Sequence, residues 1–380
     1  MQVRWKSHPI LVRLESELGD LRSRRQFRQL AAIPGINLCS NDYLGLSDDL
    51  RIKLAVADAM EQDDRFSSSG SRLLSGYAAV WDDLESELAS YTGVESALYF
   101  SSGYLANVGL LSALINRDAT VFSDSANHAS LIDGIRLTGA RKVIYPHRDL
   151  NYLEQALRSS DQPGERFIIV ESIFSMDGDR ASLGDLYALA DRYEAALIVD
   201  EAHATGVEGP SGRGLVAAGG RPDCVLATIH TCGKALASMG AFIACSERVR
   251  EYLINKARTF IFSTALPPYV AAQTRTALKI VRNAEDRRQH LRMLSRLLRA
   301  ALVKHGFDAG ASESHIIPVI LGSNESALNA AARLTRDGFG VRAIRPPTVP
   351  PGTARLRVSL NSALTAEQVS SFAQSLKDAQ

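Results

Sequence analysis

One lysine is set among small neutral residues: Lys234, in the segment TIHTCGKALAS (residues 228–238). Lysines ordinarily sit on wet surfaces among other charges. Here Thr231, Cys232 and Gly233 precede the lysine and Ala235 follows it, which leaves room for a planar molecule. An amine in a dry pocket has a depressed pKa and can form a Schiff base. The plain alternative is a lysine reaching from a loop into water. Three further segments carry chemistry-bearing types. DEAHATG (200–206) places Asp200 and His203 three residues apart, so both can face one crevice. The carboxylate could be a metal ligand, a general base or a partner for a protonated ring nitrogen, or it could simply cap the next turn. SSGYLAN (101–107) reads as a tight turn opening a helix, where free N–H groups and the helix dipole welcome a phosphate; an ordinary strand–helix turn has the same letters. ANHASL (126–131) places His128 where it could stack on an aromatic ring or cap a helix.

All four segments follow short apolar runs. The runs are ALYF (97–100), TVFSD (120–124), KVIYP (142–146), FIIVES (167–172), ALIVDE (196–201), CVLATI (224–229) and AFIAC (241–245). Several are continuously apolar and β-branched, as expected of strands covered on both faces. Stretches such as LGDLYALADRYEA between them repeat apolar residues at helical spacing. This rhythm predicts an α/β fold, a mostly parallel sheet wrapped by helices. In such sheets ligands bind at the carboxyl ends of the strands, which is where the four segments fall. Beyond about residue 270 one long charged helical stretch (276–306) leads into HIIPVIL and TARLRVSL, the pattern of a smaller α+β C-terminal domain. The expected divisions are a helical arm at 1–45, a large α/β domain at 46–280 and a small domain at 281–380.

Composition narrows the function classes. The 380 residues are 46% hydrophobic and 22% charged, and 43 basic against 42 acidic residues give a formal net charge of +1. Without a basic stripe, nucleic-acid and membrane-surface binding have little support. No apolar run approaches the roughly 18 residues of a membrane span, and the N-terminus lacks the apolar core of a signal peptide. Cys39, Cys224, Cys232 and Cys245 form no CxxC pair and the histidines no HExxH, so a metal site is not expected. A cytoplasmic enzyme with reduced thiols is the expectation.

A phosphate cradle, a strand-end aspartate, a nearby histidine and a later pocket lysine are together the parts that pyridoxal 5'-phosphate needs. At this point the chain resembles the α-oxoamine synthases, enzymes of the fold-type I PLP-dependent, aminotransferase-like architecture. The likeness runs from about residue 37 to the C-terminus. It is carried by SNDYLGLS, GSRLLSGY, ESIFSMDGD, DEAHATGVEGPSGRG, TCGKA and FSTALPP. The resemblance implies Lys234 as the Schiff-base lysine, Asp200 as partner of the pyridine nitrogen and His203 beside the phenolic oxygen. It also implies His128 on the ring, and Ser102, Gly103, Tyr104 and Thr231 at the phosphate. Ser175 and Glu171 would lie near the ring, and Ser263 and Thr264 would reach a partner subunit's phosphate in a homodimer. Arg345 would receive the amino-acid carboxylate and Arg28 the acyl substrate. AIRPPTVPPGTARLRVSL is most similar to members that join L-alanine to a pimeloyl thioester, carried on CoA or an acyl carrier protein, in the biotin pathway. The family's other pairings use glycine or serine with a different acyl-CoA. A non-catalytic subunit of the same fold would be expected to lack the lysine or the aspartate. Two departures stand out: SSSGSRLL is poorer in glycine than usual before SGY, and TCGKALAS lacks a glycine shortly after the lysine.

Overall fold

The computed structural model describes residues 8–63, 65–160 and 164–378. Residues 1–7 of the expected arm lie outside them. The elements in chain order are α1 (Pro9–Ser23), β1 (Ile36–Asn37), α2 (Leu50–Gln62), α3 (Val80–Thr92), β2 (Ser96–Phe100), α4 (Gly103–Leu114), β3 (Thr120–Asp124), α5 (Ala129–Thr138), β4 (Arg141–Tyr145), α6 (Leu150–Arg158), β5 (Arg166–Glu171), α7 (Leu183–Arg192) and β6 (Ala195–Asp200). There follow α8 (Leu215–Ala218), β7 (Ala227–Thr231), β8 (Ala241–Cys245), α9 (Glu247–Lys256), α10 (Arg258–Ile261), α11 (Tyr269–Arg282), α12 (Glu285–Lys304), β9 (Ile316–Gly322), α13 (Asn324–Arg336), β10 (Phe339–Gly340), β11 (Ala343–Ile344), β12 (Ala354–Ser359) and α14 (Ala366–Asp378).

The seven apolar runs build one seven-stranded sheet, in the order β2-β8-β7-β6-β5-β3-β4. Only β8 runs against its neighbours. The two faces are covered because side chains alternate along each strand. Ile169, Ile198, Ile229 and Ile243 pack on one face against Leu110 and Leu111 of α4 and Leu131 and Ile135 of α5. Ile168, Val170, Leu197 and Val199 pack on the other against Leu153 of α6 and Leu186 and Leu189 of α7. Each such side chain, fully buried, contributes about 1.5–3 kcal/mol. Strand boundaries differ from the apolar runs by one residue at most places. The exception is CVLATI: Pro222–Cys224 form a 3₁₀ turn, and the strand starts only at Ala227.

The stretch 276–306, expected as one helix, belongs to two. α11 ends at Arg282, and α12 restarts at Glu285 after Asn283 and Ala284 leave helical geometry. The break lets the chain leave the large sheet and cover the small one. That small sheet is antiparallel, β11-β12-β9, and packs Ile317, Leu356 and Val358 with Leu291, Leu294 and Leu298 of α12 and Phe372 of α14. The arm does not stand apart: β1 pairs in parallel with β10, so residues 36–37 join the small domain, whereas α1 buries no side chain. Among the described residues no helix is long and apolar enough to cross a membrane.

The segment 173–180 joins the two sheets. Gly178 has φ +68°, and its carbonyl accepts the N–H groups of Glu313 and Ser314 at 3.1 Å each. A Cβ on Gly178 would fall 1.9 Å from the carbonyl oxygen of Ile316. Neither the backbone sign nor the space admits a side chain. Gly178→Ala is therefore expected to destabilise the protein by more than about 1 kcal/mol, read as a lower urea midpoint; an unchanged midpoint would show that the junction yields freely.

Candidate active site

The carboxyl ends of β2, β3, β5, β6 and β7 meet at one edge of the large sheet, and the candidate residues lie on the turns that follow them. Asp200 closes β6 and stands in register beside Glu171, the last residue of β5. Both are buried. Asp200 accepts the Ala202 N–H at 2.8 Å and the Asn107 side-chain amide at 2.7 Å. The same amide nitrogen donates to Ser130 Oγ at 2.8 Å, and Ser130 Oγ lies 2.7 Å from His128 Nδ1. The Ser130 backbone N–H also points at that nitrogen, so Nδ1 accepts and Nε2 carries the proton of a neutral imidazole. Burial depresses the His128 pKa, against the opposing charge of Asp200.

A second chain of contacts starts at Lys234. Its Nζ lies 2.8 Å from His203 Nε2, and His203 Nδ1 lies 2.6 Å from the Tyr43 hydroxyl. Tyr43 in turn donates to Asn41 Oδ1 at 2.9 Å, an oxygen that also takes Nη1 of Arg357 at 3.1 Å. Arg357, on β12 of the small sheet, is 8% exposed and binds the carbonyl of Ser175 through Nε. Burial lowers the Lys234 pKa to about 8; Asp200 and Glu171 oppose the shift and Arg357 assists it. Burial also holds His203 well below its ordinary pKa, with the Lys234 and Arg357 charges acting in the same direction. Glu171 is pushed up to about 8, first by burial and then by Asp200 beside it.

Lys234 sits on the turn between antiparallel β7 and β8. Ala237 N–H closes that turn onto the Lys234 carbonyl at 2.9 Å, and Gln273 Nε2 holds the Ala237 carbonyl at 2.9 Å. Ala237 adopts φ +43°. The left-handed conformation that a glycine would take freely is here imposed on an alanine, at about 1–2 kcal/mol. This is the physical counterpart of the glycine missing from TCGKALAS.

The residues fit pyridoxal phosphate. Ser102 caps α4 by accepting the Leu105 N–H at 3.2 Å, and no described residue accepts from the N–H groups of Gly103 or Tyr104. A Cβ on Gly103 would lie 2.7 Å from Thr231 Oγ1, so the turn and the threonine hydroxyl approach closely where a phosphate would be cradled. Among buried polar atoms, Asn107 Oδ1 and Glu171 Oε1 are left without a partner at the same edge.

The structure thus gathers Ser102, Gly103, Thr231, Lys234, His203, Asp200, Glu171, His128 and Ser175 along one edge. Tyr104 lies there too, but its hydroxyl turns outward to Asp133. Ser263 and Thr264 share a cavity of about 30 Å³ with Ser101 and Arg72. Arg345 donates to the Arg25 carbonyl at 2.5 Å, beside Arg28, whose Nη2 donates to Thr348 at 3.1 Å. Sequence reasoning did not reach Asn107, Ser130, Tyr43, Asn41 or Arg357. For Arg357 a signal existed: ARLRVS alternates arginine with apolar residues, and such a strand must turn its arginines toward something polar.

The chain matches the family described as aminotransferase class I and II over residues 33–376. It is 48% identical over 339 residues to an 8-amino-7-oxononanoate synthase of Anaeromyxobacter dehalogenans, covering 89% of this chain and 84% of that one. It is 44% identical over 362 residues to the 8-amino-7-oxononanoate synthase of Geobacter sulfurreducens, covering 91% and 92%. Among solved structures it is similar to the serine palmitoyltransferase of S. paucimobilis with bound PLP–myriocin (TM-score 0.89, 28% identity, 96% of both chains). It is also similar to the 8-amino-7-oxononanoate synthase of Francisella tularensis (TM-score 0.79, 30% identity, 90% of this chain and 97% of that one).

Two outcomes follow from the lysine turn. Reductive trapping of pyridoxal phosphate on the cofactor-free protein should gain rate with a midpoint near pH 8, the lowered value of Lys234; a midpoint near the ordinary lysine value of about 10.4 would contradict the desolvated amine. Ala237→Gly should raise stability by about 1 kcal/mol, seen as a higher melting temperature, and a lower one would mean that the turn is unstrained.

Proposed function

Because the chain belongs to the class I and II aminotransferase family, with 8-amino-7-oxononanoate synthases as its curated relatives, we propose that it joins L-alanine to a pimeloyl thioester. Carbon dioxide and the thiol leave, and 8-amino-7-oxononanoate remains. The observation that carries this reading is a desolvated amine and a buried guanidinium, Lys234 and Arg357, tied through His203, Tyr43 and Asn41 in one chain of hydrogen bonds.

Pyridoxal phosphate, when bound, supplies a carbonyl for the amine and an aromatic ring that accepts the electron pair of the amino-acid Cα. Lys234 would hold it covalently, Asp200 would pair with its ring nitrogen, and the N-terminus of α4 with Thr231 would take its phosphate. His128 and Ser175 would border the ring, and His203 would lie beside its phenolic oxygen. With its lowered pKa, the Lys234 amine is poised near neutral pH to take a proton from the alanine Cα and to return one later. Arg357 presents a planar fork from a dry site, the arrangement that binds a carboxylate through two parallel hydrogen bonds. Its burial and its link to the lysine favour it over Arg345 for the alanine carboxylate. Arg345 and Arg28 lie together between the arm and the 345–348 turn, where two cations suit the far, anionic end of the acyl substrate. The new bond joins the alanine Cα to the thioester carbonyl carbon, the C–S bond breaks, and the former carboxyl carbon leaves.

We place the enzyme as a homodimer in the cytoplasm. The loop at 66–77 and the segment 262–266 are fastened together by Ser68 Oγ to Leu266 O at 2.7 Å and Ala265 N to Gly70 O at 2.9 Å. They expose Phe66, Leu73, Leu74, Tyr77 and Phe262. A second copy covering this apolar surface would bring its Ser263 and Thr264 toward the neighbouring phosphate site. The four free thiols suit a reducing compartment.

Thiol release from pimeloyl-CoA with alanine, compared with glycine or serine and other acyl-CoAs, tests the substrate assignment; preference for another pair would overturn it. Lys234→Ala is expected to cost more than the roughly 10²–10⁴-fold of general base catalysis, because anchorage is lost as well. Arg357→Ala should raise KM for alanine far more than KM for the thioester, and Arg345→Ala the reverse. If the two variants exchanged these patterns, the carboxylate would belong to Arg345.

A further inference from the structure

Behind the active-site edge, His147 stands between two buried aspartates that the reaction does not use. Its Nδ1 lies 2.8 Å from Asp124 Oδ1 and its Nε2 lies 2.8 Å from Asp179 Oδ2. Asp124 and Asp179 are each 2% exposed. A neutral imidazole has a single N–H, so one of these contacts would set a nitrogen lone pair against a carboxylate oxygen. Against two ionised carboxylates, both contacts are hydrogen bonds only if both nitrogens are protonated.

The two aspartates organise the two turns that carry site residues. Asp124 ends β3 and accepts the Ala126 N–H at 2.8 Å, shaping the turn that delivers Asn127 and His128. Asp179 closes the turn after β5, where its carbonyl accepts the Phe174 N–H at 3.0 Å. That turn carries Ser175, whose carbonyl anchors Arg357. The Glu171 N–H donates to Asn127 Oδ1 at 3.2 Å, which ties the end of β5 to the first of these turns. We propose that His147, as an imidazolium, is a positioning residue that fixes the separation of these turns and thereby places Arg357 for the amino-acid carboxylate. The positioning role rests on the proposed reaction; the protonation state does not.

The surrounding charges agree. Facing the ring are Asp124, Asp179 and Arg148, with Glu313 beyond Arg148 and the Tyr145 hydroxyl near Asp124. Burial pulls the His147 pKa down, but hydrogen bonds and charge from both aspartates outweigh it and raise the value to about 10. A raised folded-state pKa contributes stability fully present below the unfolded value of about 6.5 and lost as pH climbs through the folded one. The bridge is thus intact across the neutral range.

Neutron diffraction from crystals of the holoenzyme at pH 8 is expected to show deuterium on both nitrogens of His147; a single deuteron would overturn the bridge whatever the substrate. In His147→Gln a single amide nitrogen replaces two donor nitrogens on opposite sides of a ring, and the amide oxygen cannot donate to the second carboxylate. KM for alanine should rise on the order of tenfold to a hundredfold while KM for the pimeloyl thioester stays within about twofold, and spectral titration of the variant holoenzyme should show the same weakening for alanine. Equal rises for both substrates, or none, would overturn the positioning role. Wild-type enzyme that failed to turn over alanine would instead sink the assigned reaction and leave the neutron result standing.

Discussion

Taking one amine out of water is the constraint from which the rest of this site follows. A lysine ammonium in bulk solvent is neither a nucleophile nor a base near neutral pH. Here burial brings Lys234 to about 8, while Asp200 and Glu171 keep the shift from going further. That balance needs a carboxylate close by but not in contact. The parallel sheet provides it, because β6 and β7 are neighbours that end at the same edge. Asp200 spends its hydrogen bonds on Asn107 and the Ala202 N–H and leaves the amine to His203. A direct ion pair would have restored the ammonium.

The same low-dielectric edge explains why Glu171 is pushed toward its protonated form. Two carboxyls in register on adjacent strands cannot both be charged cheaply without water. Glu171 rises and Asp200 is the one served by two donors. The two donors hold Asp200 at the position that would face the ring nitrogen.

Much of this was legible in the sequence, for identifiable reasons. Apolar runs fully covered on both faces read directly as parallel strands, and the polar residue after each run falls at the binding edge by geometry alone. What escaped notice depends on long-range approach. Asn107 lies one helical turn into α4 and meets Asp200 from 93 residues away; no local spacing announces that contact. Arg345 was implied by the family resemblance, whereas Arg357 sits inside a strand whose inward face is only known once β12 packs beside Ser175. The break at Asn283–Ala284 was missed because the apolar spacing of α11 continues into α12 without a proline or glycine to mark the turn.

The placement of Arg357 also decides how the two sheets cooperate. The amine and its tuning carboxylates belong to the large sheet, but the guanidinium suited to the substrate carboxylate comes from the small one. The segment 173–180 joins them: Ser175 grips Arg357, Asp177 pairs with Arg355, and Gly178 docks on the residues before β9. Any tilt of the small sheet would shift the carboxylate site relative to Lys234. An amino acid held by Lys234 and, as proposed, by Arg357 would therefore lock the two sheets into one relation, and binding energy gathered at its carboxylate, which does not react in the proton-transfer step, would be converted into alignment of the Cα–H bond with the base.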